Sequence, residues 1–336
     1  PIQKAVDFAD ANGLGTVEVE PGTYDQNFDI ATPGLTLTST GSAAETTLDI
    51  GDANRVNIPA DNVTVDGFSV VFEGQATYVP GDTDNVTISN NDFALADGTE
   101  SQGYAVRYEG LTSDGEVRDN TFTGINNTVP GEFGNGVIIS GPDGHEVVEN
   151  SFTSNSIGVN VGTQQPAGEL LIQNNAFTGQ DNFSIALNHD DSGTPTITVN
   201  QNNFSANALG VLALAGGSIT VTENNFNDSG VDASALSGGD SVDATENWWG
   251  AASGPSGEGE GTGASVSTNV TFDPWLDAPF PQGNTVSDAG IGTTITDSPG
   301  TAERPDTVTV EANVTNALSF GATADGAPGN ISLVFD

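Results

Sequence analysis

Val147–Phe152 reads VVENSF: a β-branched residue, an Asn three positions later and an aromatic two beyond that. The same order returns as ISNNDF (Ile88–Phe93), VRDNTF (Val117–Phe122), IQNNAF (Ile172–Phe177), VNQNNF (Val199–Phe204) and VTENNF (Val221–Phe226). VTVDGF (Val63–Phe68) reads as an earlier member and ATENWW, ending at Trp249, as the last. Counted from Phe68 to Trp249, the aromatics are 25, 29, 30, 25, 27, 22 and 23 residues apart. Self-similarity at such a period marks a solenoid, in which each repeat contacts only its neighbours.

The repeats carry strand-length runs and no helical periodicity, so each is one turn of a β-coil. Within a turn the order is strand, Asn-rich bend, aromatic, turn and a second strand, such as GVIIS (Gly136–Ser140), IGVNV (Ile157–Val161), FSIAL (Phe183–Leu187) or LGVLAL (Leu209–Leu214). Stacked turns bring like residues about 4.8 Å apart, so the Phe are expected to form an internal stack and the Asn a hydrogen-bonded ladder. Asn also tolerates the left-handed bend between sheets. Both residue types therefore have a structural role.

Outward from the repeats, Ile2–Ile30 opens with apolar residues at 2, 5, 6 and 9, one face of a short helix, and continues into a Gly-bounded strand. A solenoid end exposes its interior and a row of unpaired backbone groups, so this segment is expected to be a cap over residues 1–15. The helix leading into TVEVEPGTYDQ (Thr16–Gln26) resembles the N-terminal cap of the pectate-lyase-like right-handed parallel β-helix proteins. NWWG (Asn247–Gly250), SGPSG (Ser253–Gly257) and DPWL (Asp273–Leu276) resemble the terminal coil of secreted and archaeal surface members. The resemblance implies an all-β, right-handed parallel β-helix of about ten coils over residues 1–279, closed by a terminal coil at 245–279. After PFPQG (Pro279–Gly283) the periodic Asn and Phe stop, and residues 280–336 read as a small β-sandwich-like segment, Ig-like or an incomplete sandwich.

The 336 residues hold 46 Asp plus Glu against 5 Lys plus Arg, a net charge of −41. A chain so acidic repels phosphate backbones, which excludes nucleic acid as a partner. Its self-repulsion is relieved where molar salt shortens the screening length to about 3 Å, so a halophilic host is expected. Cys and Met are absent, removing disulfides, thiolate chemistry and soft metal ligands. The lack of Met even at position 1 is read as a processed or excised chain, and no run is long and apolar enough to enter a bilayer.

The resemblance covers lyases, pectin-cleaving hydrolases and epimerases. Similar lyases use an Arg or Lys base beside Ca²⁺-binding carboxylates. Only Lys4, Arg55, Arg107, Arg118 and Arg304 are available, and Lys4 and Arg304 fall outside the repeats. Arg107 and Arg118 are read as surface ion pairs. Hydrolysis needs two carboxyls about 5–9 Å apart. NHDDSG (Asn188–Gly193) offers Asp190 and Asp191 with His189, and GPDGHE (Gly141–Glu146) offers Asp143 and His145 one coil earlier. The family's Asn-Thr-Asp and Arg-Ile-Lys elements are missing, and both His suit exposed polar loops. No catalytic set is complete, so the weak catalytic candidates are Asp190, Asp191 and His189. The same two Asp are the weak metal candidates, with Ca²⁺ or other cations held by acidic loops and no other cofactor expected.

Sequons begin at Asn62, Asn85, Asn126, Asn182, Asn203, Asn227, Asn269, Asn313 and Asn330, which are N-glycosylation candidates in an exported chain. The expectation is an extracellular, cell-surface structural or adhesive protein of a halophile that self-associates into a filament or layer. The alternative is an exported β-helix that binds or processes carbohydrate.

Overall fold

The computed structural model describes residues 1–51, 55–96, 103–126, 133–141, 143–162, 168–188, 195–214 and 216–287, with the strands Thr294–Ile295, Val310–Glu311, Phe320–Ala324 and Ile331–Phe335 beyond them. It divides into two compact units, Pro1–Asn284 and Thr285–Asp336.

The first unit is a parallel β-solenoid. A helix, Ile2–Asn12, precedes it and buries Ile2, Val6 and Ala9; Gly13, at φ 64°, ends the helix in the left-handed conformation that glycine adopts without steric cost. Three sheets follow, of 11, 9 and 11 strands, here called A, B and C in the order the chain visits them. One coil shows the scheme: Glu116–Arg118 lies in sheet A, Thr121–Thr123 in sheet B and Asn135–Ile139 in sheet C. The aromatic thus sits on its own short strand, and each coil has three strands where the sequence suggested two.

The core follows from period-two alternation. Val117, Phe122, Val137 and Ile139 point inward and are wholly buried. Phe93, Phe122, Phe152, Phe177, Phe204, Phe226 and Trp249 form one stack, with ring centroids 4.6–5.1 Å apart and planes within 3–10°. The stack ends at Phe93, because the register pairs Phe93 with Val70 and not with Phe68. Phe68 instead occupies an Asn-ladder position, its amide donating to Asn91 Oδ1 at 2.9 Å. VTVDGF is therefore shifted by two residues from the repeat proper, its left-handed residue being Gly67.

The ladder runs through Asn91, Asn120, Asn150, Asn175, Asn202, Asn224 and Asn247, all buried. Asn150 shows its full valence. Its Nδ2 donates to Val117 O, Val148 O and Asn175 Oδ1, and its Oδ1 accepts from the amide and Nδ2 of Asn120. Every polar atom the side chain buries is paired, as an interior amide requires. The left-handed residue is the one before each ladder Asn: Asp119, Glu149, Gln201 and Glu223 among them, with φ of 56–59°. In two coils this residue is itself an Asn, Asn90 at φ 54° and Asn174 at φ 55°, the tolerance of the left-handed bend that the sequence suggested. The ladder Asn are taken up by hydrogen bonds, and the residue before each, exposed or half-buried, takes the left-handed conformation.

A second, shorter ladder, Asn155, Gln180 and Asn207, turns sheet B into sheet C. Opposite the Phe stack, sheet C presents glycines. A Cβ on Gly136 would lie 2.8 Å from Phe152 Cε1, and one on Gly158 2.7 Å from Phe177 Cε1. The ring edges occupy the space a side chain would need. At the far end, Asn225 clamps the main chain of Phe280, accepting from its amide at 2.8 Å and donating to its carbonyl at 3.2 Å.

The second unit contains two antiparallel pairs, Thr294–Ile295 with Val310–Glu311 and Phe320–Ala324 with Ile331–Phe335.

Candidate functional site

Two of the chain's five basic residues and two of its four tyrosines meet on the outer face of sheet C. The register sets Tyr78, on Gln75–Val79, beside Arg107, on Tyr104–Tyr108, and beside Asn57 on the other side. Thr77, Val79, Val106 and Tyr108 point inward and are buried, so Tyr78 and Arg107, which alternate with them, face out. Arg55, just before the strand Val56–Asn57, lays its guanidinium over the Tyr78 ring, 4.0 Å from carbon to centroid. Its Nη1 donates to Gln75 Oε1 at 3.1 Å. Arg107 lies 5.5 Å from the Tyr104 ring and is ion-paired to Glu109.

Burial raises the Tyr104 hydroxyl above its ordinary pKa, with Arg107 and Arg55 opposing the shift, so the phenol stays protonated and can donate. Two guanidinium groups held against rings present fixed forks of N–H donors, which suit the hydroxyl and carboxylate oxygens of a polar ligand. The carboxylate of Glu109 offsets part of the positive charge.

Arg118 forms the surface ion pairs its sequence context suggested, to Glu116 at 3.3 Å and Asp119 at 3.0 Å. Arg107 does likewise with Glu109, yet sequence reasoning missed its aromatic setting. His145 overturns its expectation: it lies on a strand, 1% exposed, not in a polar loop. Its Nδ1 accepts from the Gly115 amide at 2.9 Å, and its Nε2 lies 2.9 Å from Thr112 O, which fixes the neutral tautomer with hydrogen on Nε2. Its ring leans on Tyr108 at 5.0 Å. Burial lowers its pKa, with the bonds to Thr112 and Gly115 and the charges of Asp143 and Asp114 opposing the shift. Asp143 is exposed, and His145 faces away from solvent.

His189, Asp190, Asp191 and Arg304 lie outside the described residues, as do the sequon residues Asn313 and Asn330. Among the described residues no group of three or more His, Asp or Glu is placed to hold a metal ion, and no helix is long and apolar enough to cross a membrane.

Of the other sequons, Asn62, Asn85, Asn203, Asn227 and Asn269 are exposed, and Asn126 and Asn182 half-buried. Asn62 and Asn85 stack on successive coils, the Nδ2 of Asn85 donating to Asn62 Oδ1 at 2.8 Å. Asn269 Nδ2 is taken up by Ala233 O and Leu236 O.

Residues 81–248, half of the chain, match the family model described as right handed beta helix region, and the chain belongs to that family. A search of the curated proteins finds no match. Among solved structures the chain is similar to an alginate lyase from Paenibacillus sp. str. FPU-7, at 14% identity and a TM-score of 0.50, covering 79% of this chain and 96% of that one. It is also similar to PfbA, a surface protein and adhesin of Streptococcus pneumoniae, at 14% identity and a TM-score of 0.49, covering 81% and 93%. At these identities the likeness is one of fold.

Proposed function

We propose that this chain is an exported carbohydrate-binding β-helix that engages a glycan through the Arg55–Tyr78–Tyr104–Arg107 patch of sheet C. The observation that carries the proposal is the pairing of two guanidinium groups with two tyrosine rings on adjacent strands, in a chain of net charge −41. Two of so few basic residues, brought together on one face with aromatic partners, suit a ligand rich in oxygen acceptors. The alginate lyase that shares the fold is named for a polysaccharide, which is consistent with this reading. The test is a panel of neutral and acidic oligosaccharides titrated in molar NaCl, with products followed by chromatography. Saturable binding that weakens in Tyr78→Ala and Arg107→Ala supports the proposal; no binding to any member contradicts it. Chain shortening that Arg107→Ala abolishes would extend the role to processing.

A second reading, a surface scaffold of a halophile that self-associates, is favoured by the charge. Carboxylates in such number repel one another in dilute buffer and are screened in molar salt. Light scattering across a salt series tests it: ordered polymers support it and a persistent monomer opposes it.

A further inference from the structure

Sheet B turns a neutral face outward. From the strand Ser69–Phe72 to Asn225–Phe226, seven successive strands contain one charged residue, Asp92. Sheet A, on neighbouring coils, carries Asp66, Glu116, Arg118 and Glu146. The register stacks the outward side chains of sheet B in two columns, with Thr121 above Ser151 in one and Thr123, Thr153, Thr178 and Ser205 in the other. Thr178 and Ser205 share a hydrogen bond of 3.2 Å, while the hydroxyls of Thr121, Thr123, Ser151 and Thr153 have no partner among the described residues. Beneath them the Phe stack, with its near-parallel rings, holds the strands in line.

We infer that this face is a docking surface for an extended, uncharged polysaccharide lying along the solenoid axis. The inference rests on the reading that the chain binds carbohydrate, and it adds a second surface and the chemical class of the ligand. Charge selects the class: an anionic polymer would meet Asp92 and the surrounding field of −41, whereas a neutral one loses nothing on this strip. Hydroxyls that both donate and accept match the hydroxyls of a neutral sugar, and the coil spacing is close to the advance of one pyranose unit. Area argues against a second copy of this chain. Seven strands about 4.8 Å apart and three residues wide give about 300 Å² per partner, less than half of the roughly 800 Å² that each side of a stable protein interface buries. A single flat polymer chain needs no more.

The test is retention of the full chain on insoluble neutral polymers (cellulose, chitin and a β-mannan) in molar NaCl, alongside titration of the patch-binding oligosaccharide. Thr123→Glu/Thr153→Glu places two charges on the strip, and Thr123→Ser/Thr153→Ser keeps the hydroxyls; thermal unfolding shows that both are folded. Retention on a neutral polymer that falls at least tenfold in the Glu variant, survives in the Ser variant and survives in Arg107→Ala is the expected result. Titration of the patch unchanged by the Glu substitutions, with no neutral polymer retained by the wild type, overturns the inference and leaves the patch standing. Absence of both kinds of binding removes both. Sedimentation showing a dimer that the Glu variant dissociates would make the strip an interface between copies and overturn it too.

Discussion

Arg55 lies over the ring of Tyr78, 4.0 Å from guanidinium carbon to ring centroid, although the two belong to successive coils. The ring contact and the Nη1 bond to Gln75 hold the guanidinium in place, and Lys cannot reproduce its planar fork. Arg55→Lys is therefore expected to keep the charge and lose several-fold in glycan affinity, while stability changes by less than about 1 kcal/mol, the scale of an exposed cation–π contact. Titration and thermal unfolding of the one variant separate the two effects.

Asn150 makes five hydrogen bonds in the buried ladder. Asn150→Ala leaves the Asn120 amide without its acceptor in a dry interior and takes one of the hydrogen bonds from the Val148 carbonyl, which keeps its bond from the Asp119 amide. A buried group left unpaired costs about 1–3 kcal/mol, so a loss of about that size is expected in denaturant unfolding at fixed salt. Asn62→Ala, on an exposed turn, should cost far less.

Gly158 abuts Phe177. A Cβ there would lie 2.7 Å from Phe177 Cε1 and 2.6 Å from Ser184 O. Gly158→Ala must displace a stacked ring or a backbone carbonyl, and overpacking of this kind costs about 1–3 kcal/mol. An unchanged unfolding midpoint would show that the coils breathe more freely than their contacts imply.

His145 gives the fold a pH dependence of definite sign. Its folded pKa is depressed by burial, so below the unfolded value of about 6.5 the unfolded chain binds the proton more readily. The neutral imidazole's contribution is intact above pH 6.5 and is lost as pH falls from there toward the folded pKa. His145→Gln should flatten the stability profile below pH 6.5 by up to about 1.4 kcal/mol per pH unit, one proton's worth. Identical slopes in the two proteins would contradict a buried neutral histidine.

The solenoid, the Phe stack and the Asn ladder are legible in the sequence because a parallel coil repeats each inward position at nearly fixed spacing. Phe68 misleads because any aromatic near the right spacing satisfies the pattern; only the register shows that it fills a ladder position. The glycine column was visible in GVIIS, IGVNV and LGVLAL, but its reason, the facing ring edges, required three dimensions. The Arg–Tyr patch is hidden for a related cause. Its members are single residues on successive coils, and only residues about one period apart, read in parallel, would place Arg55, Tyr78 and Arg107 side by side. His145 escaped because GPDGHE looks like a polar loop, whereas the strand begins at the histidine itself.

The measurement that bears most directly on the central claim is calorimetric titration, in molar NaCl, of the wild type and the Arg55→Ala/Arg107→Ala double variant with the best ligand from the oligosaccharide panel. The account predicts saturable binding by the wild type and a loss of at least tenfold in the double variant, at unchanged thermal stability. Equal affinity in the two proteins, or no heat of binding from any oligosaccharide, would contradict it.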